Sequence, residues 1–335
     1  MPGAAAAGER TILAVSFDLA SPAALTTAAA LAERAGLDLI VTGYPEPGSR
    51  SPAPRIDPLS AAAFLISGTR RIGLAALAPS AGWAPFHAAR AFSALDWLSR
   101  GRAGWFAAPG EDLAADPGRE RFREHLDVVF ALFDSWDEDA LAFDKAAAVF
   151  ADRDKVRRIA HAGRHFTVDG PLNSPRPPQG RPVMLQALEP EAPAAVDEAD
   201  LVIVRAASPA DAAAQRAGSM QSREARVLAD LVFALTPGPL PPAPRDAPAL
   251  TYAGPAEGLV ELMASWLRQG ACDGFNLLPA DPLKDLAVFA DAVAPALLAW
   301  GVTAAAATGG DLRARLGLRR PSNRFHRPEA ARLDA

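Results

Sequence analysis

A closed barrel of eight parallel strands, each followed by a helix, is the fold class this sequence predicts: an α/β, (β/α)8 TIM barrel. Three observations carry it. Eight short apolar runs recur along the chain, longer amphipathic segments separate them, and proline and glycine mark where those segments start and stop. A doubly wound open sheet is the competing arrangement for the same alternation.

The first run is 10–18 (RTILAVSFD), followed by an amphipathic segment over 21–35 that opens on Ser21-Pro22 and stops at Gly36. Proline suits a first helical turn, where its missing N–H is no loss, and glycine suits the left-handed end. Runs 37–44 (LDLIVTGY) and 71–78 (RIGLAALA) enclose a segment over 57–70 that opens on Asp57-Pro58. Segment 85–100, ending at Gly101, leads to run 102–108 (RAGWFAA), and segment 119–136 follows.

Residues 137–180 break the rhythm. They carry Asp137-Glu138-Asp139 and then HFTVDGPLN, and Asp169-Gly170 supplies turn chemistry for a small hairpin around 165–173. The rhythm resumes with 181–188 (RPVMLQAL), 199–206 (ADLVIVRA) and 226–235 (RVLADLVFAL). Loop 236–250 (TPGPLPPAPRDAPAL) is so rich in proline that an extended, irregular course is expected. Segment 255–269, opening beside Gly254-Pro255 and ending at Gly270, and run 272–278 (CDGFNLL) complete the count. The organisation expected is a single domain over 1–335, with 302–335 as a C-terminal tail.

Composition narrows the function classes. With 50% hydrophobic residues over 335 positions a sizeable core is assured, and a net charge of -5 gives no global field for nucleic acid or an anionic membrane. Arg313, Arg315, Arg319, Arg320, Arg324 and Arg327 read as a solvated or surface-wrapping tail. The lone Cys272 excludes an internal disulfide and any cysteine-rich metal site. With no leader pattern and no long apolar span, a cytoplasmic, soluble protein is expected.

No GxSxG, P-loop or CxxC motif occurs, which removes hydrolase, nucleoside-triphosphatase and thiol-redox readings. His161 and His165 have the i, i+4 spacing of a metal pair, but Gly163 between them argues against a helix, and no metal is assigned. His87 and His125 read as surface or core-edge residues. The six tryptophans read mostly as core, with Trp83 and Trp105 as candidates to line the barrel mouth. After run 181–188 comes Glu189-Pro190-Glu191. Prolines and carboxylates stabilise a helix start there.

Residues 144–187 (DKAAAVFADRDKVRRIAHAGRHFTVDGPLNSPRPPQGRPVMLQA) closely resemble a stretch of the bacterial luciferase-like flavin monooxygenases, in the branch of nitrilotriacetate and dibenzothiophene-sulfone monooxygenases. RIGLAAL and FSALDWLSRGRAGW within 71–105, FDSWDEDAL at 133–141, GACDGFNLLP at 270–279 and LRARLGLRRPSNR at 312–324 extend the resemblance in the same order. The resemblance implies a TIM barrel that binds reduced FMN at the C-terminal ends of its strands and uses dioxygen on a small organic substrate. It also implies a flavin reductase as partner and a homo- or heterodimer with a related barrel.

Carried over position by position, the flavin site falls on Tyr44, Leu77, Phe106, Gln186, Leu188 and Glu189. No catalytic residue is assigned. At Tyr44 the family usually has aspartate, and at Leu77 threonine. Phe106 begins the stretch that replaces a polar Thr-Ser turn, and only Gln186-Ala187 matches the start of the phosphate-holding Gln-Ala-Gly-Ser-Ser-x-x-Gly. Loop 236–250 stands where many relatives carry a long helical lid. The alternative to an FMN monooxygenase is therefore a catalytically degenerate member that binds no flavin and serves as a partner or regulatory subunit.

Overall fold

A computed structural model describes residues 10–44, 56–109, 116–188, 198–219, 225–238, 240, 249–305 and 309–326. The first four strands, β1 (Ile12–Phe17), β2 (Leu39–Thr42), β3 (Gly73–Pro79) and β4 (Ala103–Ala108), alternate with α1 (Pro22–Arg34), α2 (Pro58–Leu65) and α3 (Pro85–Ser99). Helix α4 (Asp116–Phe133) then leads into two small hairpins, β5 (Leu141–Asp144) with β6 (Val149–Ala151) and β7 (His161–Ala162) with β8 (Thr167–Val168). Strands β9 (Val183–Ala187), β10 (Leu201–Val204), β11 (Arg226–Ala234), β12 (Leu250–Ala253) and β13 (Gly274–Pro279) follow, with α5 (Pro209–Ser219) after β10 and α6 (Ala256–Arg268) after β12. Past β13, α7 (Lys284–Val288) runs through a π-helical turn into α8 (Ala294–Ala299), and α9 (Leu312–Arg315) lies in the tail.

The sheet runs β10-β9-β4-β3-β2-β1-β13-β11, and a parallel β10–β11 pairing closes it. Closure leaves eight parallel strands in a ring and excludes the open doubly wound sheet. All eight predicted runs are ring strands. A ninth, β12, was not anticipated: β11 is long enough to pair its start (Arg226–Ala229) with β10 and its end (Leu231–Ala234) with β12. The irregular loop expected over 236–250 thus stops at Leu250, while its residues 239 and 241–248 lie outside the described residues.

Alternation sorts each strand between two apolar layers. Ile12, Ala14, Leu39, Val41, Ala75, Phe106, Val183, Leu185 and Ile203 fill the barrel, whereas Leu13, Val15, Phe17, Trp105 and Met184 pack outward under the helices. Trp105 therefore does not line the mouth; it stacks on Phe92 at 5.3 Å and meets Phe130 edge-on at 6.3 Å. Trp97 and Trp300 are not core residues either, being 45% and 51% exposed.

Helix starts follow the local chemistry. Asp57 caps α2 by accepting from Ser60 N at 2.8 Å, and Ser21 accepts from Ala24 N at the start of α1. At the N-terminal end of the barrel, Leu312, Leu316 and Leu318 join the interior cluster as a plug. Gly73 makes room for it: a Cβ there would lie 2.7 Å from both Leu312 and Leu39. The arginine-rich tail wraps the surface. Arg313 pairs with Asp200, Arg324 with Asp127 and Arg320 with Glu138, while Arg327 lies outside the described residues.

The excursion differs from expectation in its turn. The hairpin is β7–β8, with its turn at Gly163–Phe166 (Gly163 N to Phe166 O, 2.9 Å), whereas Asp169 receives the Ile159 and Ala160 N–H groups. Glu124 of α4 fixes that turn by accepting from His165 N and Phe166 N at 2.9 and 2.8 Å and from the His161 ring at 3.0 Å. The two histidines are thus engaged by glutamates, and no metal-holding cluster occurs among the described residues.

His125 is fully buried rather than at the core edge, between Trp105 and Phe166, and neither ring nitrogen has a hydrogen-bond partner. Burial, helped by the Arg121 charge, pushes its pKa down from 6.5 to about 4. The unfolded chain therefore takes up this proton first, so its contribution is complete above about pH 6.5 and drains away as pH falls toward 4. His125→Leu is expected to remove about 3 kcal/mol of the stability lost over that window. Urea titrations at pH 7 and 4.5 check this; an unchanged difference between wild type and variant at the two pH values would refute it.

Candidate functional site

The C-terminal strand ends gather a polar cluster around the barrel axis. Gly43, at φ +78°, turns the chain after β2 so that Tyr44 points into the barrel; a Cβ at Gly43 would fall 2.3 Å from Pro58. The Tyr44 hydroxyl donates to Asp230 Oδ2 of β11 at 2.7 Å, and its ring lies 5.3 Å from that of Phe106. Arg205, just past the end of β10, donates through Nε to the same Asp230 oxygen at 3.2 Å and through Nη2 to the Tyr44 hydroxyl at 3.3 Å. Asn276 of β13 donates to Asp230 Oδ1 at 2.7 Å, and Ser16 of β1 donates to Asn276 Oδ1 at 2.7 Å.

Five side chains from around the ring thus meet in one network, with Tyr44, Asp230 and Asn276 fully buried and Ser16 and Arg205 at 3% and 5% exposure. Burial raises the Asp230 carboxyl above its usual range, against the opposing pull of Arg205, Tyr44 and Asn276. Burial and the neighbouring Asp230 raise the Tyr44 phenol well above its ordinary value. Tyr44 is consequently a neutral hydrogen-bond donor at physiological pH, unsuited to act as a base.

Three of the six sequence-predicted positions come together here. Tyr44 and Phe106 are interior residues, and Leu77 packs on them, partly exposed. Leu188 belongs to the outward layer, and Gln186 shares the outward face of β9 with Met184, so neither points to the axis. Glu189 lies outside the described residues. Sequence reasoning missed Ser16, Arg205, Asp230 and Asn276. Their signal was a polar residue interrupting an apolar strand run, as in LADLVFA and GFNLL.

Two further cavities of about 250 Å³ lie at the other end of the barrel. One is bordered by Arg181, Asp200, Arg313 and Arg319, the other by Arg10, Asp38 and Thr303. These line the strand starts, the face that serves stability in this architecture.

The chain's similarities agree with the geometry. A family model described as "Luciferase-like monooxygenase" matches residues 4–294. One of the two chains of pristinamycin IIA synthase from Streptomyces pristinaespiralis is 36% identical over 242 residues, covering 71% of this chain and 80% of that one. Dibenzothiophene-sulfone monooxygenase of Rhodococcus erythropolis is 41% identical over 144 residues, covering 39% of this chain and 32% of that protein. The solved structure of EDTA monooxygenase from Chelativorans sp. BNC1 superposes with a TM-score of 0.78 at 21% identity, over 93% of this chain and 99% of that one. With the barrel closed in this strand order and most of its length matched by one family, the chain belongs to the luciferase-like monooxygenases.

Proposed function

We propose that the chain is the oxygenating component of a two-component flavin monooxygenase, using reduced FMN delivered by a separate flavin reductase, with dioxygen, on a small organic substrate. Membership of the family over residues 4–294 is the observation that carries this reading. The mouth adds apolar wall: Leu77, Phe106 and Leu240 pack on the barrel interior at this end, as a water-excluding site requires.

The family's cofactor does not fit the mouth as it is folded. A flat ring needs open volume beside the donors that grip it, and at the axis the donors are buried and bonded to one another. No chemical step is therefore derived through the flavin. What these residues do is close the axis, keep water from the interior, and hold a proton on the Tyr44 oxygen.

Pairing with a second related barrel is part of the proposal, and the relative that forms part of a synthase supports it. So is a cytoplasmic location for a single-domain chain; no described helix is long and apolar enough to cross a membrane. The test is an anaerobic titration of the full chain with reduced FMN, followed by oxygen and candidate substrates. Expected are a dissociation constant below about 1 mM and oxygen uptake that depends on substrate. Absence of binding to that limit, a free energy weaker than about -4 kcal/mol, would overturn the enzyme reading in favour of a degenerate partner barrel.

A further inference from the structure

We propose that Tyr44, held by Asp230 and Arg205, is the residue that decides whether a planar aromatic ligand reaches the barrel axis: it is a gate on the site at the mouth. The inference rests on the proposed flavin reading and specifies how that site is controlled.

Placement is the first support. Tyr44 enters from the end of β2 and Arg205 from the end of β10, across the ring from each other, and they meet over Asp230 of β11. Filling is the second. The phenol ring packs against Phe106 at 5.3 Å and the Arg205 guanidinium carbon sits 5.8 Å from the Tyr44 ring centre, leaving both side chains at 5% exposure or less. The third is what opening leaves behind. When Tyr44 swings out, Asp230 keeps its contacts to Arg205 and Asn276, so the carboxylate is not stranded. Breaking Tyr44 away therefore exchanges one hydrogen bond and a packed ring for ligand contacts, a change within reach of ligand binding energy. Gly43, in the left-handed region immediately before Tyr44, is where the backbone already departs from the strand.

A closed majority reduces apparent affinity by the fraction of molecules that are open. Removing the gate restores that factor. The experiment is an anaerobic titration of the full chain with reduced FMN and, separately, reduced riboflavin, which carries the ring without the phosphate. Wild type is compared with Tyr44→Ala and with the double variant Arg205→Ala/Asp230→Ala, which opens the axis without leaving an unpaired charge. Melting curves establish that each is folded, and either variant alone suffices if the other is not.

The expected result is that a variant binds both ligands about tenfold or more tightly than wild type, as for a gate closed in nine molecules of ten. Equal affinities for wild type and variants would overturn the gate while leaving the flavin reading intact. Absence of binding by wild type and variants alike would overturn the flavin reading and the gate with it.

Discussion

Arg205→Met is expected to lower the unfolding free energy by about 3–5 kcal/mol, the cost of leaving a buried charge without its partner. Asp230 is fully buried, and the guanidinium supplies the positive charge on its Oδ2 side. Without it, hydrogen bonds from Tyr44 and Asn276 remain, and neither neutralises the carboxylate.

The pH dependence gives the loss a signature. The Asp230 pKa is already raised by burial, and removing Arg205, the largest opposing influence, raises it further. An acid whose folded pKa exceeds its unfolded value binds more protons when folded, so stability recovers as pH falls. The destabilisation should be larger at pH 8 than at pH 5. Arg205→Met/Asp230→Asn, which removes both charges, should recover most of the loss at pH 8, because replacing a buried pair with neutral groups is often close to neutral. Urea denaturation followed by circular dichroism reads all three. A double variant no more stable than the single would refute the assignment of the loss to a stranded carboxylate.

Asp134→Ala is expected to cost a similar amount, about 3–5 kcal/mol, at the opposite end of the barrel. Asp134 lies one residue past α4 and is fully buried. It accepts from Arg176 Nε and Nη2 at 3.2 and 3.0 Å and from Arg181 Nη2 at 2.6 Å. Arg176, with 2% of its side chain exposed, also reaches Pro321 O, so this carboxylate joins the end of α4, the excursion and the tail. Its removal should both lower the urea midpoint and speed trypsin cleavage at the tail arginines. The exposed Arg158–Asp169 pair, 73% and 57% exposed, provides the contrast: Asp169→Ala should change stability by no more than about 1 kcal/mol. Comparable losses for the two variants would show that burial does not set the scale.

The strands were legible in the sequence because each is buried on both faces. A run such as LIVT or LVIV is apolar throughout, and the helices between the runs begin at residues with local capping chemistry, as Asp57 does. β12 was not legible, since LTYA is short, follows a proline-rich loop, and exists as a strand because β11 extends beyond β10. The hairpin was misplaced for a related reason. Asp169-Gly170 has turn chemistry, but the turn is fixed at 163–166 by Glu124, about 40 residues earlier on α4.

The candidate site divides in the same way. Tyr44, Leu77 and Phe106 were reached through the family resemblance, which gives positions but no contacts. Ser16 and Asn276 stand 260 residues apart, and Tyr44 and Asp230 186 apart. No local period links them.

By itself the sequence determined the class of fold, the number and order of ring strands, and the family, because these follow from alternation, capping and motif order along the chain. Only the tertiary structure decided that Ser16, Tyr44, Arg205, Asp230 and Asn276 share one buried network. It also decided that Gln186 and Leu188 turn away from the axis. The reason is ring closure. Pairing β1 with β13 and β10 with β11 brings distant inward positions onto one axis, where every buried polar group must find its partner among the others.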